Sequence, residues 1–106
     1  MGSMEGVLKE ELGRLRELER GYRRAIRKLP KGSIQQKRIN GIAYPYLVYR
    51  QASKVISRYL GRLSESDLKK LKEEIELRRK YQKLFRETRQ NQHKIYRMLY
   101  GKKRTV

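Results

Sequence analysis

The sequence of 106 residues contains no cysteine and no tryptophan. Without cysteine there can be no disulfide, no thiol nucleophile and no thiolate metal site. Apolar residues make up 37% of the chain, which is less than in most globular domains and predicts a thin hydrophobic core. The lack of cysteine fits a reducing compartment, and we therefore expect a cytoplasmic protein.

Long apolar segments are missing as well. No run approaches the ~20 residues that a membrane-spanning helix needs, and the N-terminus has no basic flank followed by an apolar stretch, as a signal peptide would. Met1-Gly2-Ser3 is typical of residues added by cloning, so the natural chain is expected to begin at Met4. We therefore expect no membrane partner.

Residues suited to catalysis are scarce. The single histidine, His93, has its nearest acid in sequence, Glu87, six residues away, which on a helix is the wrong face for an orienting carboxylate. Metal ligands do not cluster, and no glycine-rich phosphate loop precedes a helix. The sequence therefore predicts a protein that is not an enzyme, with no metal, no cofactor and no small-molecule substrate.

Acidic residues are few compared with basic ones. The chain has 29 Lys and Arg against 11 Asp and Glu, which gives a formal net charge of +18. No acid occurs between Arg20 and Ser64. A charge of this size exceeds what solubility requires and attracts polyanions over long distances. Nucleic acid is therefore the predicted class of partner.

The first element is an amphipathic helix over residues 5–29, because its apolar side chains recur at alternating steps of three and four. Pro30 ends the helix, since the residue before a proline is pushed out of the helical region. The apolar stripe consists of Leu8, Leu12, Leu15, Leu18, Tyr22, Ile26 and Leu29.

The periodicity changes after a turn at Lys31-Gly32-Ser33, where segments rich in Ile, Val and Tyr predict β-strands. The strands span residues 34–39, 43–50 and 55–60. The dipeptide Asn40-Gly41 is a strong hairpin signal, because both central residues of a type I′ turn need a positive φ. Pro45 lies in the middle strand and cannot donate to the ladder, so a bulge or a missing hydrogen bond is expected there.

Residues 64–99 predict a second, longer helix with Ser64 as its N-cap. Its apolar stripe fades between Thr88 and His93, a stretch expected to be polar on every side, and residues 101–106 form a basic tail. The chain is thus expected to be a single α+β domain over residues 4–100. Its predicted architecture is an N-terminal helix, a three-stranded antiparallel β-meander and a long C-terminal helix, with the helices antiparallel.

Alternation along the strands sorts their side chains onto two faces of the sheet. We assign the more aliphatic face, with Ile34 and Leu47, to the helices. The opposite face combines tyrosines with basic and small polar residues, a composition suited to phosphates and base edges. The alternative is that these tyrosines pack beneath a helix. The candidate nucleic-acid contacts are Lys37, Arg38, Tyr44, Tyr46, Arg50 and Arg58 on the strands and Arg23, Arg24 and Arg27 on the first helix.

Three segments carry a resemblance: Leu29-Pro30-Lys31-Gly32-Ser33, Tyr44-Pro45-Tyr46-Leu47-Val48-Tyr49-Arg50 and Tyr59-Leu60-Gly61. They are similar to a family of small uncharacterised prokaryotic proteins with a helix, tyrosine-rich strands and a second helix. Residues 46–63 also resemble the N-terminal strands of certain insertion-sequence transposases, where a similar meander precedes the catalytic domain. At the level of fold, the sheet is similar to DNA-binding sheets of some phage-type integrases. Gln51-Ala52-Ser53 departs from these patterns, because the usual turn has glycines.

The leading hypothesis is a non-catalytic nucleic-acid-binding protein, with duplex DNA favoured as the partner over RNA. The alternatives are a helical interaction or dimerisation scaffold without a nucleic-acid role, and an RNA-binding protein. A homodimer formed by the helices is expected, because the second helix would run about 50 Å at ~1.5 Å per residue and extend past the first. Its apolar residues Leu84, Phe85, Ile95, Met98 and Leu99 exceed what the first helix covers.

Overall fold

The computed structural model describes residues 3–101, which contain in chain order a helix, an antiparallel sheet of strand order β1-β2-β3 and a second helix. The predicted α+β architecture is confirmed, and no element bound differs from its prediction by more than one residue. Residues 102–106 of the predicted basic tail lie outside the described residues, as do Met1 and Gly2. The elements are α1 (Met4–Lys28), β1 (Ser33–Ile39), β2 (Ile42–Gln51), β3 (Lys54–Tyr59) and α2 (Glu65–Tyr100).

These elements form two compact units. The sheet unit spans Leu29–Arg79 and contains the three strands with the first part of α2. The helical unit combines α1 with the part of α2 that begins at Lys80. The single domain expected over residues 4–100 stays a prediction.

In the helical unit, α1 and α2 run antiparallel. The ring of Tyr22 lies 5.9 Å from that of Tyr81. Nearer the start of α1, the amide of Gln92 donates to the Leu15 carbonyl oxygen at 3.4 Å and to the Glu19 carboxylate at 2.7 Å. Residues nearer the end of α2 therefore contact residues nearer the start of α1. The two helices are antiparallel, as predicted.

The stretch from Thr88 to His93 is polar on every side, yet one of its sides is buried. Thr88 is only 6% exposed, and the half-buried Gln92 places its amide against α1. Both positions continue the alternating steps of three and four that lead from Phe85 to Ile95. A short hydroxyl side chain and a hydrogen-bonded amide thus replace apolar residues in the buried stripe. A stripe defined by apolar side chains alone does not show this burial.

The core of the sheet unit lies on one face of the sheet, against the first part of α2. Leu47, Leu60 and Ile75 are buried there. Burial of these side chains removes apolar surface from water, which is the main favourable term in folding. The face assigned to the helices is therefore the buried one, as predicted. The half-buried residues packed around this core are Ile34, Tyr49, Leu68 and Leu71.

Two tight turns join the strands. Asn40 and Gly41 have φ values of 54° and 81° between the paired residues Ile39 and Ile42, as the predicted type I′ hairpin requires. The second turn places Ala52 at a φ of 55°, in the left-handed region where glycine is the usual residue. The missing glycine in the sequence pattern therefore corresponds to a strained alanine.

Pro45 causes no bulge, because β1 and β2 stay in register through the pair Gln36 and Pro45. The carbonyl of Pro45 points towards the end of β3 and accepts the Leu60 N–H at 2.9 Å. In an antiparallel strand the N–H and C=O of a residue point to the same side. The nitrogen of Pro45, which carries no hydrogen, therefore faces Leu60 and cannot donate to its carbonyl. The Leu60 carbonyl instead accepts the Leu63 N–H at 3.0 Å. Pro45 thus removes one bond at the point where the chain leaves the sheet.

Serine hydroxyls cap both helices. Ser64 accepts the Asp67 N–H at 3.1 Å, which confirms the predicted N-cap of α2. Ser3 accepts the Gly6 N–H of α1 at 3.0 Å, so the start of α1 is capped by one of the residues attributed to cloning. Each cap satisfies a backbone donor that the helix itself leaves unpaired.

Candidate nucleic-acid interface

The face of the sheet opposite the core is called the open face. Strand alternation and the pairing register place its residues together, and the contact of Lys37 on β1 with Ser57 on β3 shows that the outer strands meet across β2 on this face. Its members are Gln35, Lys37, Ile39, Ile42, Tyr44, Tyr46, Val48, Arg50, Val55, Ser57 and Tyr59.

Three tyrosines form a cluster at the centre of the open face. The ring of Tyr59 lies 5.4 Å from that of Tyr46 and 6.2 Å from that of Tyr44, with tilted planes. Tyr59 remains 48% exposed. Its ring covers the backbone of Gly61, where a Cβ atom would overlap it. The cluster does not belong to the core that packs against the first part of α2.

Lys37 supplies a positive charge beside this cluster. Its Nζ atom lies 4.5 Å from the centre of the Tyr46 ring and donates to the Ser57 hydroxyl at 3.2 Å. An ammonium group has three donors, so Lys37 is oriented by two contacts and retains donors for an anion. The absence of acids between residues 20 and 64 leaves no carboxylate on the strands to neutralise this charge.

Arg50 supplies a second positive charge, at the far end of β2. It is exposed and pairs across the sheet with Val55 on β3. Lys37 is opposite Tyr44, which lies six residues before Arg50 on the same strand. At ~3.4 Å per residue the backbone positions of Lys37 and Arg50 are about 20 Å apart along the sheet. The ammonium group of Lys37 reaches Ser57, which pairs with Val48, two residues before Arg50, so the two charges are closer together than the two backbone positions.

The predicted strand residues do not all share the open face. Lys37, Tyr44, Tyr46 and Arg50 do. Arg38 and Arg58 are exposed but belong to the face that carries the core, since Arg58 pairs with Leu47 and Arg38 alternates with Lys37.

Tyr59 was missing from the predicted contacts, although it contacts both other tyrosines of the cluster. Strand alternation had already placed it on the same face as Tyr44 and Tyr46, so the signal was present in the sequence. It was omitted because the prediction gave weight to the basic residues and to the middle strand.

The three predicted arginines of α1 belong to the helical unit. Arg24 and Arg27 are exposed. Arg23 pairs with the Glu19 carboxylate at 3.0 Å, and its guanidinium carbon lies 5.3 Å from the centre of the Phe85 ring. These contacts occupy Arg23 within its own unit, which leaves Arg24 and Arg27 as the more available charges.

Several Lys and Arg side chains of α1 form ion pairs with acidic residues of the same helix, which partly neutralises their charge. Lys9 lies 3.8 Å from Glu5, and Arg20 pairs with Glu17. The hydrogen bond from Arg14 lowers the pKa of the Glu11 carboxyl, and the same bond raises the pKa of Arg14. The uncompensated positive charge is therefore greater on the strands than on the first turns of α1.

Comparison with known proteins gives a family. Residues 8–70 match a family model described as a domain of unknown function (DUF6788). The chain belongs to this family. The DUF6788 match covers α1, all three strands and the first turns of α2, so every residue of the open face lies within it. Membership of an uncharacterised family is thereby confirmed. No curated protein and no solved structure matches the chain.

The apolar residues behind the predicted homodimer lie beyond the DUF6788 match, in the second part of α2. All except Met98 are half-buried in the structure, whereas Met98 is 67% exposed. Within the helical unit, the second part of α2 contacts α1 through Tyr81, Phe85 and Gln92. The half-buried members are Leu84, Phe85, Ile95 and Leu99.

Neither a cluster of metal ligands nor a membrane-spanning helix is present among residues 3–101 of the DUF6788 chain. Within residues 3–101, no group of three or more His, Cys, Asp or Glu side chains is arranged to hold a metal ion. Neither α1 nor α2, as far as they are described, has an apolar stretch long enough to cross a bilayer.

Proposed function

We propose that this chain is a non-catalytic protein that binds duplex DNA through the open face of its sheet. A cytoplasmic location is part of the proposal. The observation that carries it is the chemistry of the open face, where Lys37 and Arg50 share the surface with a partly exposed tyrosine cluster and no acid occurs on the strands. The overall charge of +18 supports a polyanionic partner.

The proposed contacts divide by chemistry. Lys37 and Arg50 contact phosphates, which gives affinity without sequence preference. The hydroxyls of Tyr44, Tyr46 and Tyr59 donate to base edges or to phosphates, and Gln35 offers an amide on the same face. Amide and hydroxyl groups of this kind discriminate between bases in the grooves of DNA.

The dimensions of the sheet favour DNA over duplex RNA. Neighbouring strands lie ~4.8 Å apart, so β1 and β3 are separated by about 10 Å. The major groove of B-form DNA is ~12 Å wide and admits a two-stranded β-ribbon, so the hairpin of β1 and β2 can enter it while the third strand lies at its edge. The major groove of A-form RNA is deep and too narrow for side chains to reach the bases. Resemblance of the strands to DNA-binding sheets of phage-type integrases also favours DNA.

A titration against duplex DNA, duplex RNA and single strands, each at two salt concentrations, tests the proposal. Fluorescence anisotropy is expected to show the tightest binding with duplex DNA. The logarithm of the association constant should fall linearly with the logarithm of salt concentration, by about 0.9 per phosphate contacted. No binding to any nucleic acid at low salt would refute the proposal. Tighter binding of duplex RNA than of duplex DNA would show that RNA, and not DNA, is the partner.

A homodimer through the helices is a separate prediction. The helical unit has an open, mainly apolar groove lined by Leu18, Tyr22, Ala25 and Tyr81, which a second copy would cover. Because both copies are strongly basic, association should strengthen as salt screens the repulsion beyond ~8 Å. Sedimentation velocity at rising salt is expected to show a dimer, and a monomer at high concentration and moderate salt would rule it out.

A further inference from the structure

The hairpin formed by β1 and β2 is longer than the three-stranded part of the sheet. β3 pairs with β2 only over Tyr46–Gln51. Residues 37–44, which we call the arm, contain the three pairs Lys37–Tyr44, Arg38–Ala43 and Ile39–Ile42 without a third strand beside them. The arm is therefore a two-stranded ribbon, about 5 Å from strand to strand, half the width of the sheet behind it.

The tip of the arm is apolar. Ile39 and Ile42 face each other across the hairpin on the open face and are 51% and 56% exposed. Lys37 and Arg38 follow directly along β1, and both are exposed. Burial of this pair of isoleucines against a partner would remove their apolar surface from water, which is favourable.

We infer that the arm enters the major groove of DNA and that Ile39 and Ile42 contact the C5-methyl groups of thymine. The inference rests on the proposed function and names its ligand class as thymine-containing duplex DNA. A two-stranded ribbon fits the major groove, whereas the three-stranded part is nearly as wide as the groove and rests on its edges. Thymine is the base that presents an apolar group there.

Charge decides between DNA and a second copy of the chain as the occupant of this tip. If two arms met tip to tip, Lys37 and Arg38 of one copy would approach the same residues of the other. Like charges brought together at an apolar contact oppose association. In DNA, by contrast, the phosphates attract both positive charges while the methyl groups of thymine cover the isoleucines.

The experiment compares two duplexes of identical sequence, one with thymine and the other with uracil throughout, which removes only the C5-methyl groups. The unsubstituted chain should bind the thymine duplex about fourfold more tightly for each methyl group covered, the effect of burying one carbon. The Ile39→Ser/Ile42→Ser variant should bind both duplexes equally. Met98→Ser, which removes an exposed apolar side chain of α2, should keep the full preference for thymine.

Each outcome has one meaning. Loss of the thymine preference in the double variant, with binding retained, supports the inference. Equal binding of the two duplexes by the unsubstituted chain, or a thymine preference that survives in the double variant, overturns it and leaves the proposed function intact. Failure of the unsubstituted chain to bind either duplex overturns both. If circular dichroism shows that the double variant is unfolded, the single variants Ile39→Ser and Ile42→Ser take its place, since each side chain is more than half exposed.

Discussion

Replacement of Lys37 and Arg50 by glutamine is expected to weaken the binding of duplex DNA roughly 60-fold at 0.1 M salt. Each phosphate contact releases about 0.9 of a counterion, so the loss of two contacts removes about 1.8 from the salt slope and a factor of roughly eight per contact at this salt concentration. Because both side chains are on the surface of the sheet, away from its core, the free energy of unfolding should stay within about 0.5 kcal/mol of its original value.

The sheet offers a matched control for this pair. Lys54 and Arg58 are also exposed strand residues, but they belong to the opposite face and lie outside the arm. Lys54→Gln/Arg58→Gln removes an equal charge and so has the same effect on the long-range field. The control variant should retain nearly the full salt slope. If the two double variants lost affinity equally, net charge alone would explain binding, and the open face would have no particular role.

The hairpin and the faces of the sheet were predictable because local chemistry specifies them. Asn40 and Gly41 tolerate positive φ values, and the alternation of Ile34, Leu47 and Tyr49 with polar residues fixed which face is buried. A register shift of one residue would expose the whole aliphatic set. The two-residue turn and the alternation thus agree on a single register, which the structure has.

The division of α2 between two units was not predictable from its periodicity. One apolar stripe runs along the helix, and a stripe shows which side is buried but not what buries it. Leu71 and Ile75 pack in the sheet unit, whereas Tyr81 contacts Tyr22 of α1. The prediction that α2 projects beyond α1 assumed one partner along its entire length, and for this reason it left too many apolar residues unassigned.

The candidate site was predicted in composition better than in geometry. The sequence supplied the acid-free tyrosine-rich strands, but the candidate list, chosen by charge, included Arg38 and Arg58 although strand alternation assigns them to the aliphatic face. A third strand of six residues was predicted and is present, with its end shifted by one residue. What the prediction did not draw from it is that this short strand leaves residues 37–44 as a two-stranded arm, the feature on which the thymine inference depends.

Gly32→Ala is expected to destabilise the protein by about 3 kcal/mol. Gly32 has a φ of 113°, in a region that costs an alanine about 1–2 kcal/mol. A Cβ atom there would also lie 2.5 Å from the Val48 carbonyl oxygen and 3.0 Å from the Cβ of Tyr49. Backbone on β2 cannot move aside without disturbing the first pair of the sheet, Ser33 and Val48, and overpacking of this kind costs a further 1–3 kcal/mol, roughly.

Gly41→Ala separates these two contributions. Gly41 also has a positive φ, of 81°, but a Cβ atom there meets nothing within 4 Å. This variant should therefore lose only the conformational part, about 1 kcal/mol. Urea denaturation of both variants measures the difference. Equal losses would show that the close approach of Gly32 to β2 contributes nothing. A larger loss for Gly32→Ala would show that β1 is held in place by a close backbone contact that only glycine permits.

The start of β1 is also held by Arg79, which donates to the Gly32 carbonyl at 3.1 Å. Lys37 and the arm extend from this start of β1. DNA affinity should therefore fall together with stability in Gly32→Ala and remain unchanged in an equally destabilised variant of the helical unit.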